Sequence, residues 1–211
     1  MQRAAEMDDE ILFKQPESSH LGDCPICFLP MPLNKNARRF RDCCGKMLCL
    51  GCAYANDMFA LKQGHEAKCP FCREKDASSE EESMKRLLRR AEANDPIALA
   101  SIGQSRYDEE DYENAFRYYT RAAEEGSEDA RFRLGAMYCE GEFVEKNEDE
   151  CIYHWANAAI WGHAGARYTL GMCEWVMERF DRAVKHWIIS ASLGDNESIK
   201  RLTKMLQRRA C

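Results

Sequence analysis

No apolar run in the 211 residues approaches the ~20 that a membrane-spanning helix requires. The opening residues MQRAAEMDDEILF lack the basic head and apolar stretch of a secretory signal. These two absences lead to the expectation of a soluble protein, cytoplasmic or nuclear and not secreted, with no membrane partner. An excess of basic charge is missing as well. With 30 Lys and Arg against 36 Asp and Glu, the formal net charge is -6. A general polyanion binder needs clustered cations to displace counterions. No basic helix with base-reading spacing is present either, so nucleic acid is not an expected partner. Histidine is scarce, at five residues, and the segment densest in cysteine, RDCCGKMLCLGC at 41–52, contains none.

What the chain does have is cysteine, twelve in all, within a composition that is 45% apolar and sufficient for a buried core over one or two domains. Without a secretory signal the thiols are expected to stay reduced, so their spacing decides their role. Eight fall between Cys24 and Cys72: Cys24-x2-Cys27, the adjacent Cys43 and Cys44, Cys49-x2-Cys52 and Cys69-x2-Cys72. Cys139, Cys151, Cys173 and Cys211 are scattered singly, as small buried apolar residues are. A Cys-x2-Cys turn aims two sulfurs at one tetrahedral ion, so eight ligands imply two zinc ions. The 49 residues involved are few for an apolar core, whereas structural zinc contributes ~10–16 kcal/mol to small fingers. Zinc closed by four protein ligands leaves no position for water, which argues against hydrolysis at the metal. No catalytic side chain is therefore expected.

CPIC, a long spacer, CCGKMLCLGC, a second spacer and CPFCR together resemble the RING finger. That resemblance implies a small zinc-bound α+β domain in cross-brace order, with Cys24, Cys27, Cys49 and Cys52 on one ion and Cys43, Cys44, Cys69 and Cys72 on the other. It also implies an enzyme activity without a covalent intermediate, in which the domain docks a ubiquitin-conjugating enzyme and positions its thioester-linked ubiquitin. The implied docking residues are Ile26, Pro70 and Arg73. A third position, where RING ligases carry a bulky side chain, holds Asn56, with Met58 and Phe59 nearby. The chain departs from the usual RING in having no histidine near the fourth ligand and no residue between the third and fourth. Four thiolates satisfy zinc, and Gly45 permits a turn that brings both adjacent cysteines to one ion. Asp42 in place of Cys43, or His65, remain alternatives for the second site. Arg38, Arg39, Arg41, Lys46, Lys68 and Arg73 surround the cluster and offset its charge.

Beyond Arg73 the composition shifts. Residues 1–20 read as a disordered N-terminus, 21–76 as the zinc finger, and 77–94 as a linker and capping helix opened by a Ser79–Glu82 capping box. Residues 95–211 repeat. Ala98-x3-Ile102-Gly103, Ala130-x3-Leu134-Gly135 and Ala166-x3-Leu170-Gly171 share one pattern, and Ser198-x3-Leu202 starts a fourth copy. A second pattern interleaves with it: Ala115, Tyr119, Ala123, Gly126; Cys151, Trp155, Ala159, Gly162; Ala183, Trp187, Ala191, Gly194. Each copy reads as a helix pair, and periods of 32, 36 and 32 residues indicate an all-α helical-repeat solenoid. Trp155 and Trp187 read as packing, whereas Trp161 and Trp175 fall outside the pattern and are candidates for partner contact. LGAMY, YTRAA and WANAA resemble the Sel-like repeat, a relative of the tetratricopeptide repeat. The expected function is a ubiquitin ligase whose repeats take a protein target; a non-catalytic scaffold is the alternative.

Overall fold

The computed structural model describes residues 8–209; residues 1–7, Ala210 and Cys211 lie outside the described residues. In chain order the elements are α1 (Asp9–Leu12), a 3-10 turn (Lys35–Ala37), β1 (Arg38–Phe40), β2 (Met47–Cys49), α2 (Leu50–Lys62), α3 (Glu80–Glu92), α4 (Pro96–Asp108), α5 (Tyr112–Glu124), α6 (Glu128–Glu140), α7 (Glu148–Ile160), α8 (Ala164–Val176), α9 (Phe180–Ser192) and α10 (Asn196–Arg209). They fall into two compact units, one formed by Leu21–Gly126, the other by the N-terminal stretch up to His20 with the chain from Ser127 onward. The boundary lies at Gly126, inside the repeats, rather than at the end of the cysteine-rich segment.

In the first unit, β1 and β2 pair antiparallel with Arg38 opposite Cys49, Arg39 opposite Leu48 and Phe40 opposite Met47. Around this hairpin lies a core of only Cys24, Met31, Leu48 and Ala53. So small an apolar core needs another source of cohesion. The helix α3 begins as the sequence predicts, with Ser79 Oγ accepting from Glu82 N at 3.2 Å, although the Glu82 carboxylate reaches Ser78 N at 2.9 Å rather than Ser79. Pro96 opens α4 behind the Asp95 cap, where a missing N–H costs nothing. Arg86 Nη1 donates to Lys75 O at 2.9 Å and Arg90 Nη1 to Asp42 O at 3.3 Å, so α3 is tied to the cysteine-rich segment as well as packed on α4. This is why the unit extends past the expected linker.

The repeat pattern has a packing cause. A Cβ added at Gly103 would come within 2.8 Å of the Tyr119 ring, one at Gly135 within 2.4 Å of Trp155, and one at Gly171 within 2.5 Å of Trp187. The glycine on the first helix of each pair is thus the notch for the aromatic ring on the second. Trp155 Nε1 donates to Phe132 O at 3.1 Å and Trp187 Nε1 to Tyr168 O at 3.3 Å, satisfying both buried indoles. Trp175 also packs, its ring 4.7 Å from Phe180 and 5.4 Å from Trp187, contrary to its expected role in partner contact. Trp161 remains 68% exposed. Cys151 is buried in the core of the second unit, with Cys139 and Cys173 packed against it. Among the described residues no helix is long and apolar enough to cross a membrane.

The expected disorder of residues 1–20 does not hold for residues 8–20. Asp8 caps α1, and Leu12 is buried in the core of the second unit beside Trp155, Ala159 and Leu170. Main-chain carbonyls bonded by Arg167 and the side chains of Asp9, Leu12 and Phe13 hold the stretch together.

Candidate metal centre

Two loops of the first unit share one design. In Cys24-Pro25-Ile26-Cys27-Phe28, Phe28 N donates to Cys24 O at 2.8 Å and Cys24 N to Leu29 O at 2.9 Å. In Cys69-Pro70-Phe71-Cys72-Arg73, Arg73 N donates to Cys69 O at 3.0 Å and Cys69 N to Glu74 O at 2.8 Å. Isolated bridges close both loops, Asp23 with Pro30 and Lys68 with Lys75. Phe28 and Arg73 are held at φ of +58° and +68°, a conformation that strains a non-glycine residue and so requires support from its surroundings. Each loop turns its two sulfurs to one point.

The remaining ligands come from the hairpin. Cys49 ends β2, and its sulfur accepts from Cys52 N at 3.4 Å in the first turn of α2. Cys43 and Cys44 lie in the turn between the strands, where Cys44 N and Gly45 N both donate to Arg41 O, at 3.3 and 2.7 Å. Gly45 adopts φ +74°, the left-handed turn expected of it, and a Cβ there would collide with the Arg90 guanidinium.

Two groups of four sulfurs result, Cys24, Cys27, Cys49 and Cys52, and Cys43, Cys44, Cys69 and Cys72, with the four Sγ of each group within 4.8 Å of one another. The pairs interleave along the chain, the first with the third and the second with the fourth. Four sulfurs ~2.3 Å from a shared zinc would stand roughly 3.8 Å apart in a tetrahedron. The Cys27 and Cys49 sulfurs are 3.9 Å apart and those of Cys44 and Cys69 3.6 Å, and all eight cysteines are free thiols. A disulfide would bring sulfurs to about 2.05 Å. The donor set and spacing fit zinc. Asp42 stands outside both groups, its carboxylate 3.6 Å from Arg86 Nη1, and so does the exposed His65. Geometry thus selects Cys43 over either alternative.

The electrostatics point the same way. Burial pushes the Cys24 thiol up, but backbone hydrogen bonds at Cys27, Cys49 and Ile26 outweigh it and hold the thiol at about 6. In the same group Cys52 is pushed up to about 12, first by its hydrogen bond with Cys49 and then by burial. Burial likewise pushes Cys69 up, and backbone hydrogen bonds at Cys72 and Phe71 bring it down to about 7; burial and hydrogen bonds to Cys72 and Cys69 drive Cys43 far up. Four sulfurs this close cannot all ionise without a cation between them. Arg41, buried, stands near enough to Cys69 to feel its charge, but its guanidinium is itself paired with Asp76 and, at 3.4 Å, with Asp57. Burial lowers its pKa and these carboxylates, with Cys69, raise it to a net upward shift.

The expected docking residues lie on the two loops. Ile26 is 40% exposed, Arg73 is exposed and Pro70 is half-buried. Phe28 and Leu29, which the sequence reading did not single out, are exposed at 76% and 65%. Asn56 is not free: its Nδ2 donates to Lys68 O at 3.0 Å, bracing α2 against the second loop.

A third group, His20, Asp129 and His163, has metal-ligand spacing in the second unit. His163 Nδ1 accepts from Ala166 N at 3.0 Å, which places the ring proton on Nε2, 3.2 Å from Asp129 Oδ1. Its lone pair is committed to the amide, so this group is a hydrogen-bonded clasp rather than a metal centre.

Fold and site define a class: a cysteine-clamped module followed by helical repeats. The family model of the Sel1 repeat matches residues 101–127 and 128–160, the second match spanning α6 and α7. The solved Sel1 repeat protein from Oxalobacter formigenes is similar to this chain, with TM-score 0.57 and 27% identity over 62% of this chain and 56% of that one. So is c5321, described as a protective antigen present in uropathogenic Escherichia coli strains and displaying an SLR fold, with TM-score 0.54 and 25% identity over 74% of this chain and 34% of that one. The chain thus spans little more than half of the first and a third of the second. No curated protein matches it. The helical part is a Sel1-type repeat solenoid.

Proposed function

We propose that the cysteine-rich module is a RING-type finger folded by two zinc ions, and that the protein is a ubiquitin ligase. It docks a ubiquitin-conjugating enzyme on the two loops and a protein target on the repeats. The observation that carries the reading is the interleaving of the two four-sulfur groups, which ties the loops, hairpin and α2 into one rigid surface. Zinc bound by four thiolates supplies cross-linking and no open coordination position. The chain's own residues would do the rest. Ile26 and Pro70 offer apolar contact to the conjugating enzyme, and the exposed Arg73 offers a cation to enzyme and ubiquitin together. Catalysis of this kind is positioning: it raises the effective concentration of the acceptor amine at the thioester. Eight free thiols suit a reducing cytoplasmic or nuclear setting.

The test is autoubiquitination with a panel of conjugating enzymes. Wild type is expected to build chains, and Ile26→Ala to lose at least about tenfold in rate, the scale of one apolar docking contact, with two zincs retained per chain. A fully zinc-loaded wild type that builds no chains refutes the ligase. One observation favours a second reading, a non-catalytic scaffold: Asn56, where ligases carry a bulky docking side chain, is occupied in bracing α2. The same assay separates the two.

A further inference from the structure

The second unit holds residues 8–20 of its own chain, the short helix α1 and the irregular segment after it, against its helices. Arg167, on α8, is fully buried, and its guanidinium donates to three main-chain carbonyls: Nε to Ala159 O at 3.1 Å, Nη1 to Leu12 O, and Nη2 to Lys14 O at 3.3 Å. Among the described residues no carboxylate pairs with it, and burial alone lowers its pKa, to about 10. A buried arginine that reads carbonyls recognises backbone, whatever the side chains. Side chains are read beside it. Arg182 Nη1 pairs with Asp9 at 2.5 Å and its guanidinium lies 5.0 Å from the Phe13 ring, with Lys185 Nζ at 5.2 Å. Leu12 enters the core beside Trp155.

Two further observations show how the stretch is seated on this surface. His186 is fully buried against Phe13, ring centroids 4.7 Å apart, yet among the described residues neither ring nitrogen has a hydrogen-bond partner. A buried polar ring without a partner is costly, and Phe13 of the stretch lies against it. Gly162, in the turn before α8, faces the same stretch: a Cβ there would stand 2.5 Å from Ser18 O and 3.1 Å from His20 N. Its counterpart Gly194, at φ +98° against +86°, has nothing within 4 Å. Of the two, only Gly162 is pressed by another segment.

We propose that this channel is a peptide-binding site for partner proteins, occupied here in cis by residues 8–20, and that it accepts a partner segment with an acidic residue three positions before a Leu-aromatic pair. The proposal rests on reading the repeats as the partner-binding part of the molecule. The cis segment copies the ligand and competes with it, so partner binding requires its release. In such a pair of states the apparent affinity for a free peptide is scaled by the fraction of channels that are open.

The probe is a fluorescein-labelled peptide of the chain's own residues 8–20, DDEILFKQPESSH, titrated into the full chain by fluorescence polarisation. Wild type is expected to bind it weakly. The variant Leu12→Asp/Phe13→Ser, which releases the cis segment and leaves the channel intact, is expected to bind about tenfold more tightly or better, as for a channel open less than a tenth of the time in wild type. Arg167→Leu in that background should abolish the gain, and a peptide with Lys at the Asp9 position should lose most of it. If the released variant, folded by circular dichroism, binds no better than wild type, the proposal fails. Should that variant melt at assay temperature, Leu12→Ala takes its place with the same criterion. Light scattering on the same samples decides whose segment the channel takes. Wild type that dimerises by exchanging residues 8–20 assigns the site to a second copy and overturns the partner reading.

A second readout uses trypsin, which must draw the Lys14 carbonyl away from Arg167. Cleavage after Lys14 should accelerate in Gly162→Ala and not in Gly194→Ala, a glycine also at positive φ; equal rates in the two would overturn the cis contact. Chain building at Ile26 is measured on the other unit, so a ligase can survive the failure of this proposal, and the channel can survive the failure of the ligase.

Discussion

At the scale of single residues, the glycines of the first unit and of the repeats make opposite predictions. Gly135 on α6 is the notch for Trp155, with room for a Cβ only at 2.4 Å from the ring. Gly135→Ala should overpack that contact and cost about 1–3 kcal/mol. Gly51, in the first turn of α2, has nothing within 4 Å and takes an ordinary helical conformation. Gly51→Ala should therefore be neutral or stabilise by up to about 1 kcal/mol, since alanine loses less backbone freedom on folding. Urea denaturation of the two zinc-loaded variants, followed by far-ultraviolet circular dichroism, distinguishes them. A Gly135→Ala variant as stable as wild type would show that the aromatic ring can be displaced cheaply and that the repeat signature is not set by this contact.

At the scale of elements, the hairpin and α2 depend on metal in a way the repeat helices do not. The core around the hairpin is four residues, two of them small, against the many buried alanines, leucines and tryptophans of α6 to α9. Chelation should release two zincs per chain and expose the amides of β1, β2 and α2 to exchange, while those of α6 to α9 stay protected. Hydrogen exchange read by mass spectrometry checks this, and persistent protection at Leu48 and Ala53 after complete zinc removal would contradict a metal-folded module. The same contrast explains what was readable beforehand. Paired cysteines announce ligands because two thiols with two residues between them have few other uses, and Ala-x3-Leu-Gly with Ala-x3-Trp announces helix pairs because ring and notch must alternate. The turns within those pairs left no such trace: Glu110 and Glu178 hold the left-handed position at φ of +61° and +60° where Gly141 serves in the middle copy. His163 capping α8 through Nδ1 was equally hidden, as was Arg167, whose charge suggests a surface residue. Two of the three carbonyls that satisfy it, those of Leu12 and Lys14, come from about 150 residues away, and that is a tertiary fact no local pattern encodes.

At the scale of the whole molecule, acid should act on the two units by different routes, and the four tryptophans, all beyond residue 126, report on the second unit alone. Three histidines there are kept neutral by burial. Burial lowers His186 to about 3, with Arg167 and Arg182 adding to the effect and Asp9 opposing it. Burial also lowers His154 and His163, against the pull of Glu150 on the one and the Asp129 hydrogen bond on the other. Each takes up its proton near pH 6.5 once unfolded, so the unfolded state binds more protons below that pH and the stability due to these groups is lost as pH falls. Glu128 opposes them: burial raises its carboxyl to about 7, so the folded state holds the extra proton and gains stability as pH falls toward 4.5. Asp129, held far down by His163 and His20 against its burial, stays ionised through this range. The His186 share alone is about one proton taken up on unfolding near pH 5, or roughly 1.4 kcal/mol per pH unit, with His154 and His163 acting in the same direction and Glu128 and Glu140 in the opposite one. Tryptophan-monitored urea denaturation at pH 7 and pH 5.5 measures that slope. His186→Leu should reduce it by about one proton, and raise stability at pH 7 because the unpaired ring nitrogens are gone. An unchanged slope in that variant would mean that His186 is already charged in the folded protein, with Asp9 rather than Arg167 governing its ring.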